Sequence, residues 1–429
     1  MRISGENRVF LFLQGPHGPF FAQLGEMIGK AGGQIWRVAF NAGDRAFWHD
    51  AASLIPYHGT PDQWADDCAR LFDDKGITDL VLYGDPRPIH AHAINVAKAR
   101  GITVHVFEEG YLRPHWVTYE RDGSNGHSRL MDMSVSQMQA ALAKAEIDQP
   151  EAPARWGDMR QHIYWGARYH WHVLTGFRAF RNFRPHRSLT VRQEFGLYLK
   201  RLALLPLHRW ERMLSEFRIR NGGFPYHLVL LQLEHDASFQ HHSPFTKMTE
   251  FLRLVMEGFA KGAAPHHHLV FKAHPLEDGR APLKAEIDRL SATFGLQDRV
   301  HFVRGGKLAQ LLNHARSAVT VNSTAAQQVL WRGMPLKAFG AAVYSKPEFV
   351  STQPLAEFFA HPIRPDSRAY RAYRHYLLET SQVAGGFYSA KGRRKVLRQV
   401  VDMMLSREDP YDALVSGSAA PRQQLRLVQ

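Results

Sequence analysis

Residues 228–245 read LVLLQLEHDASFQHHSPF. An apolar run, Leu228 to Leu233 with one interruption at Gln232, stops at Glu234, His235 and Asp236. Ser238, Gln240, His241 and His242 follow. A short apolar run that ends in polar residues suits a strand buried on both faces of a parallel sheet. Open parallel sheets bind ligands beyond the carboxyl ends of their strands. The change at Glu234 therefore predicts a sheet edge that carries chemistry.

The same rhythm recurs on either side. HLVLLQLE (227–234), HLVFKAHP (268–275), RVHFVRG (299–305) and SAVTVNS (317–323) read as strands. Helical patterns follow at roughly 246–262, 281–295, 307–316 and 324–333, and PLKAFGAAVY (335–344) reads as one more strand with its loop. The first part of the chain does likewise, with strands at 8–14, 34–40, 78–84 and 102–107 and helices around 20–31 and 87–100. Strands alternating with helices predict parallel, doubly wound sheets. The expected fold class is α/β, two Rossmann-like lobes facing a cleft. Two-lobe (GT-B-like) glycosyltransferases use this layout, and so do many other nucleotide-handling enzymes. The expected division is an α/β lobe at 1–130, a basic aromatic helical segment at 131–222, a second α/β lobe at 223–365, and C-terminal helices and a tail at 366–429.

The 429 residues suffice for two domains, and 45% hydrophobic content supports sizeable cores. Cys68 is the single cysteine, so no internal disulfide framework exists, and a reducing cytoplasm is the expected setting. VFLFLQ near the start is too short for a secretory signal, and no apolar window is long enough to span a bilayer. Net charge is +14. Between Arg155 and Arg220 there are 14 Lys and Arg against 4 Asp and Glu, with four Trp and eight Phe or Tyr. A surplus this local predicts an anionic partner. No RRM, KH or zinc pattern accompanies it, which argues against nucleic acid.

Several strand ends carry candidate chemistry. Lys272, His274 and Pro275 close the strand HLVFKAHP, and a cation with an imidazole there suits a phosphate. VNSTAAQQVLWRGMP (321–335) predicts a helix capped by Ser323 or Thr324 and closed by Gly333 and Pro335. Hydroxyls and free N–H groups at a helix start suit an anion. Asp236 or Glu234 could act as nucleophile or base, with His235 beside them and Gln232 just before. Glu108 and Glu109 end the strand ITVHVF; on an extended segment only one is expected to face the cleft. Arg113, His115, Arg121, His127 and Arg129 enrich the following stretch, read as a long loop, in donors for an acidic substrate. GPHGPF (15–20) has glycines for close approach around His17, but it is neither GxGxxG nor a P-loop. Asp85 and Arg87 end another strand. HHH at 266–268 alternates faces and makes a poor chelate, so no metal is expected.

FLQGPHGPFF, FNAGDRAFW, LYGDPRPIH, FEEGYLRPHWVTYE, NGHSR, QLEHDAS, HSPF, KAHP and the NST…RGMP stretch occur in this order. Together they resemble the KpsS/LipB family of capsular polysaccharide proteins over about residues 8–350. The resemblance implies a β-Kdo glycosyltransferase that uses CMP-Kdo, with no further cofactor. It would start a Kdo linker on a lysophosphatidylglycerol-type acceptor by a retaining double displacement. It implies CMP phosphate binding by the KAHP motif and by Ser323 and Thr324, a nucleophile at Asp236, and a base at Glu108 or Glu109. It further implies a cytoplasmic protein at the inner face of a Gram-negative inner membrane, working beside other capsule biosynthesis and export proteins. The basic aromatic segment then becomes a membrane-docking element. A non-enzymatic export or assembly factor that binds lipid-linked polysaccharide is the alternative.

Overall fold

A computed structural model of the chain describes residues 5–143, 159–184, 191–277 and 279–418. Parts of the expected basic aromatic segment, Arg155 and Trp156 among them, and the end of the C-terminal tail lie outside these residues. The chain forms two units, 1–188 with 374–429, and 189–373. The basic aromatic segment is thus divided between them.

The first unit begins with β1 (Val9–Phe12), α1 (Phe20–Lys30), β2 (Gln34–Ala39), α2 (Ala42–Ala46), β3 (Leu54–Pro56) and α3 (Trp64–Lys75). It continues with β4 (Asp79–Tyr83), α4 (Pro88–Ala99), β5 (Thr103–Glu109), β6 (Trp116–Arg121), α5 (Val135–Leu142) and α6 (Met159–Thr175). The second unit holds α7 (Val191–Asn221), β7 (Tyr226–Leu230), α8 (Ala237–His242), α9 (Met248–Gly262), β8 (His268–Lys272) and α10 (Leu283–Thr293). Then come β9 (Val300–Val303), α11 (Leu308–Leu312), β10 (Ala315–Thr320), α12 (Ala326–Trp331), β11 (Leu336–Ala338) and α13 (Leu355–Ala360). The unit boundary falls within α14 (Ser367–Glu379). β12 (Gln382–Ala384), α15 (Ala390–Leu405) and α16 (Pro410–Ser416) complete the first unit.

The seven strands of the first unit lie in the order β12-β6-β5-β4-β1-β2-β3, and the five of the second in the order β11-β10-β7-β8-β9. The strands β1 to β5 and all five of the second sheet pair in parallel. Numbered within each unit, both sheets share the order 3-2-1-4-5, the doubly wound arrangement. The fold class is α/β, as expected.

Alternating side chains explain why β1 is central. Phe10 and Phe12 face one core with Leu24 and Ile28 of α1 and Val400 and Met404 of α15. Leu11 and Leu13 face the other with Trp64, Phe72, Ala93 and Ala97 of α3 and α4. Phe10, Leu11, Phe12 and Leu13 are all completely buried. A strand covered on both faces must be apolar throughout, and this is what VFLFL supplies. In the second unit Val229, Phe271 and Val319 pack under α9, α10 and α13. The consecutive histidines alternate as expected: His267 meets His227 at 3.2 Å, and His268 meets His301 at 2.8 Å.

Three local readings need correction. Residues 116–121 form a strand, β6, and not a loop, antiparallel to β5. Val117 and Tyr119 belong to one core, while Thr118 and Glu120, on the other face, are also buried, Glu120 accepting from Tyr111 (2.5 Å) and Ser128 (2.5 Å). The helix expected at 307–316 ends at Leu312, and Ala315 already opens β10. The helix expected at 324–333 spans only 326–331. Ser323 Oγ accepts the Ala325 N–H (3.2 Å) in a local turn, which delays the helix.

Two glycines test the packing. At Gly262 an added Cβ would sit 1.9 Å from the Ala356 carbonyl oxygen, where α9 meets α13. At Gly29, inside α1, it would meet nothing within 4 Å. Gly262→Ala should therefore destabilise the protein by about 1–3 kcal/mol through overpacking. Gly29→Ala should stabilise it by about 0.5–1 kcal/mol through helix propensity alone. Urea melts of both variants decide this, and equal responses would contradict the packing described.

Candidate active site

Register aligns the strand ends of the second sheet. Leu230 lies level with Lys272 on one side and with Thr320 on the other. Residues 231–236, 273–277 and 321–324 therefore leave the same carboxyl edge. β7 and β10 flank the switch point of the sheet order, the place where open α/β sheets take ligands.

Gln232 and Asn322 join the first and third of these segments. Gln232 Nε2 donates to Asn322 Oδ1 (2.7 Å), and the Asn322 N–H donates to Gln232 Oε1 (2.9 Å). Both are buried, so Gln232 is a strut of the floor. Glu234 accepts the Met248 N–H at the start of α9 (2.8 Å). It serves as a helix cap, which leaves Asp236 as the carboxylate of this loop. Asp236 is exposed and opens α8 without forming a side-chain cap bond.

His274 and Pro275 line a cavity of about 590 Å³. Arg304, Gly305 and Gly306, beyond β9, form its next wall; Arg209, Trp210, Arg212 and Met213 of α7 form another. The volume falls in the range of small-molecule sites. His274 Nδ1 accepts the Leu276 N–H (3.1 Å), which fixes that ring nitrogen as the acceptor. Arg304 is held by Glu211 of α7 (2.7 Å). Gly306 adopts φ +79°, a conformation that favours glycine, and the Glu216 carboxylate of α7 lies against it. Lys272 is buried, and burial pushes its amine down to about 8 against the opposing pull of Glu216. It does not line the cavity. Ser323 and Thr324 stand beyond β10, half-buried, with the Ser323 carbonyl held by Tyr344 (2.8 Å).

The first unit has its own carboxyl edge, where β1, β4 and β5 end together. Both carboxylates of β5 act on the phenol of Tyr83, whose pKa burial raises well above 10. Tyr83 approaches Glu109 Oε1 at 3.5 Å, Arg87 lies over its ring, and Tyr388 lies against Glu109. Burial lifts Glu108 to about 7; the Glu109 N–H, bonded to its Oε1 (3.0 Å), and the charges of Arg113 and Arg87 oppose the rise, while the Glu109 charge adds to it. Of the other donors expected here, several have internal duties. Arg121 caps the end of α15, Arg129 pairs with Asp409 and Asp412, and His127 bonds Asp85 (2.8 Å). Asp85 also accepts the N–H and hydroxyl of Ser124, so it anchors a loop.

His17 stacks on Tyr169 of α6, centroid to centroid 4.5 Å. Beside it lies a network that motif reading did not single out. Asp44 accepts from Gln14 (3.0 Å), from the Phe40 N–H (3.1 Å) and from Tyr169 (3.0 Å), and Arg37 stands 3.5 Å away. Arg37 is buried between Phe21 and Trp48, and neither its Nε nor its Nη1 bonds another described residue. The signal was present in FNAGD, which follows β2 as KAHP follows β8. Its partner Tyr169 lies 125 residues away from Asp44, beyond the reach of local motif reading.

Comparisons with known proteins bear on the family. A family model described as capsule polysaccharide biosynthesis protein matches residues 78–388. The chain is 31% identical over 398 residues to the capsule polysaccharide export protein KpsS of Escherichia coli, covering 90% of this chain and 98% of that protein. It is 31% identical over 396 residues to the capsule polysaccharide modification protein LipB of Neisseria meningitidis serogroup A, covering 90% of this chain and 92% of that protein. Among solved structures it is similar to Thermosulfurimonas dismutans KpsC, beta Kdo 2,7 transferase. That match has a TM-score of 0.42 and 13% identity, over 92% of this chain and 100% of that one. Anabaena HepE, solved with UDP and glucose, matches at a TM-score of 0.33 and 10% identity, over 96% and 98%. Structural likeness at this level bears on neither substrate nor mechanism. On the extent of the family match and of the two relatives, this chain belongs to the capsule polysaccharide biosynthesis proteins.

Proposed function

We propose that this protein is a glycosyltransferase that moves Kdo from CMP-Kdo to a lysophosphatidylglycerol-type lipid. The observation that carries the reading is the 590 Å³ cavity beside His274, with Arg209, Arg212 and Arg304 on its walls. A cavity of this size, at a sheet edge and lined by cations, suits a nucleotide phosphate.

In this reading CMP occupies the second unit, with its phosphate met by His274 and supported by Ser323 and Thr324. These groups stabilise charge that develops as the sugar–phosphate bond breaks. CMP leaves as an anion, so no strong general acid is required. The Asp236 carboxylate attacks the anomeric carbon and forms a glycosyl ester. Glu108 then takes the proton of the acceptor hydroxyl, whose oxygen displaces Asp236 and restores the original configuration. This follows the logic of retaining glycosidases, by analogy. A base whose pKa lies near the working pH is the efficient one, which suits Glu108. The buried Arg37 and the cationic Arg87 and Arg113 fit an anionic acceptor. In the alternative reading the protein is an export or assembly factor without catalysis, which the word "export" in the name of the Escherichia coli relative favours.

Incubation with CMP-Kdo and a lysophosphatidylglycerol analogue should release CMP and yield a Kdo-lipid. Asp236→Ala should lower the rate at least about 100-fold with an unchanged thermal melt, and His274→Ala should lower kcat about 100-fold. Absence of CMP release by the folded wild-type protein would favour the export reading. A near-normal rate for Asp236→Ala would remove Asp236 as the nucleophile.

Protonation of the base switches it off. The rate should therefore fall as pH drops through about 7, the value to which burial lifts Glu108. Glu108→Gln should lose this limb together with most of the rate. A flat profile from pH 6 to 8 in the wild-type protein would assign the base elsewhere.

A further inference from the structure

Helix α7 has two different long faces. Leu199, Leu202, Trp210, Met213 and Phe217 are each more than half exposed. Their spacing, i, i+3, i+11, i+14 and i+18, places them on one stripe of an α-helix, and exposed Pro206 at i+7 continues it. The stripe runs for about 27 Å. Soluble surfaces rarely leave so continuous an apolar strip uncovered. Lys200 and Arg218 border it on one side, Arg209 and Arg220 on the other, and all four are exposed. The two described carboxylates of the helix lie elsewhere: Glu211 holds Arg304, and Glu216 lies against Gly306. The opposite face is inward, with Ile219 buried and Arg212 on the cavity wall.

We propose that α7 is an in-plane lipid helix: its apolar stripe docks on an anionic bilayer surface while the flank next to it, with His208, Arg209 and Arg212, walls the cavity beside His274. Charge decides the occupant. An apolar stripe bordered by Arg and Lys, with both described carboxylates of the helix engaged on its inward side, matches an anionic headgroup layer, with Trp at headgroup depth. A second copy of the stripe would set these cations against one another. Trp210 and Met213 belong to both the stripe and the cavity lining, so the mouth of the cavity opens at the edge of the docking face. A lipid-borne acceptor would then meet the donor without leaving the surface; this last step rests on the reading of the cavity as the donor site.

The test uses the full chain. Wild-type protein should sediment with vesicles of phosphatidylglycerol and phosphatidylcholine, and less so at high salt or with phosphatidylcholine alone. Leu199→Glu/Leu202→Glu/Phe217→Glu, three positions off the cavity lining, should weaken partitioning at least tenfold. The same variant should bind free CMP as the wild type does by calorimetry, which also reports that it is folded. Arg218→Gln/Arg220→Gln, a milder change, should reduce the salt-dependent part alone. Equal sedimentation of the triple variant and the wild type would overturn the proposal. Wild-type indifference to phosphatidylglycerol would overturn it too, as would a wild-type dimer in ultracentrifugation that the triple variant dissolves. Normal vesicle binding without any CMP binding would leave the docking face in place and remove the donor reading.

Discussion

Parallel pairing of β7 with β8 and β10 is the constraint from which the rest of the second unit follows. Parallel strands start and end together when their registers agree. Because Leu230 is level with both Lys272 and Thr320, three loops of different sequence emerge side by side. Each brings another chemistry: a carboxylate at Asp236, an imidazole at His274, hydroxyls at Ser323 and Thr324. None of these loops is held by a metal or a disulfide among the described residues. The Gln232–Asn322 pair holds two of them: the Gln232 side-chain amide donates to Asn322 Oδ1 and accepts the Asn322 backbone N–H. A buried amide pair of this kind fixes geometry, since either partner alone would leave unsatisfied polar groups inside the protein.

The first unit obeys the same rule with a different outcome. Its sheet edge gathers two adjacent carboxylates, two phenols and cations that stay partly solvated. Burial of Glu108, with a smaller push from the Glu109 charge, lifts one carboxyl toward neutrality, while the Glu109 N–H, Arg113 and Arg87 limit the rise. The C-terminal segment takes part in this environment. β12 adds to the sheet beside β6, α15 covers the core, and the loop between them brings Tyr388 to Glu109. Residues nearly three hundred positions apart thus set the electrostatics of one site.

Much of this was legible in the sequence. Apolar runs ending in polar clusters gave the central strands β1, β4, β5, β7, β8 and β10 close to their true places, and with them the sheet edges. The motif at KAHP led to the cavity because a strand end is a local feature. What escaped notice depended on distant partners. Glu234 and Asp236 look equivalent in QLEHDAS, and only the packing of α9 shows that Glu234 is a cap. Arg121 and Arg129 look like substrate donors until α15 and α16 return to meet them. β6 was hidden inside a motif that invited reading as a loop. The exposed stripe of α7 was diluted by masking charges in a segment that composition alone described as basic and aromatic.

The central claim is that the carboxyl edge of the second sheet holds a cytidine nucleotide. A crystal structure of the protein with CMP tests it most directly. The account predicts density for the phosphate within hydrogen-bond distance of the His274 ring, beyond the end of β8. A nucleotide bound away from the ends of β7, β8 and β10, with His274 untouched, would contradict it.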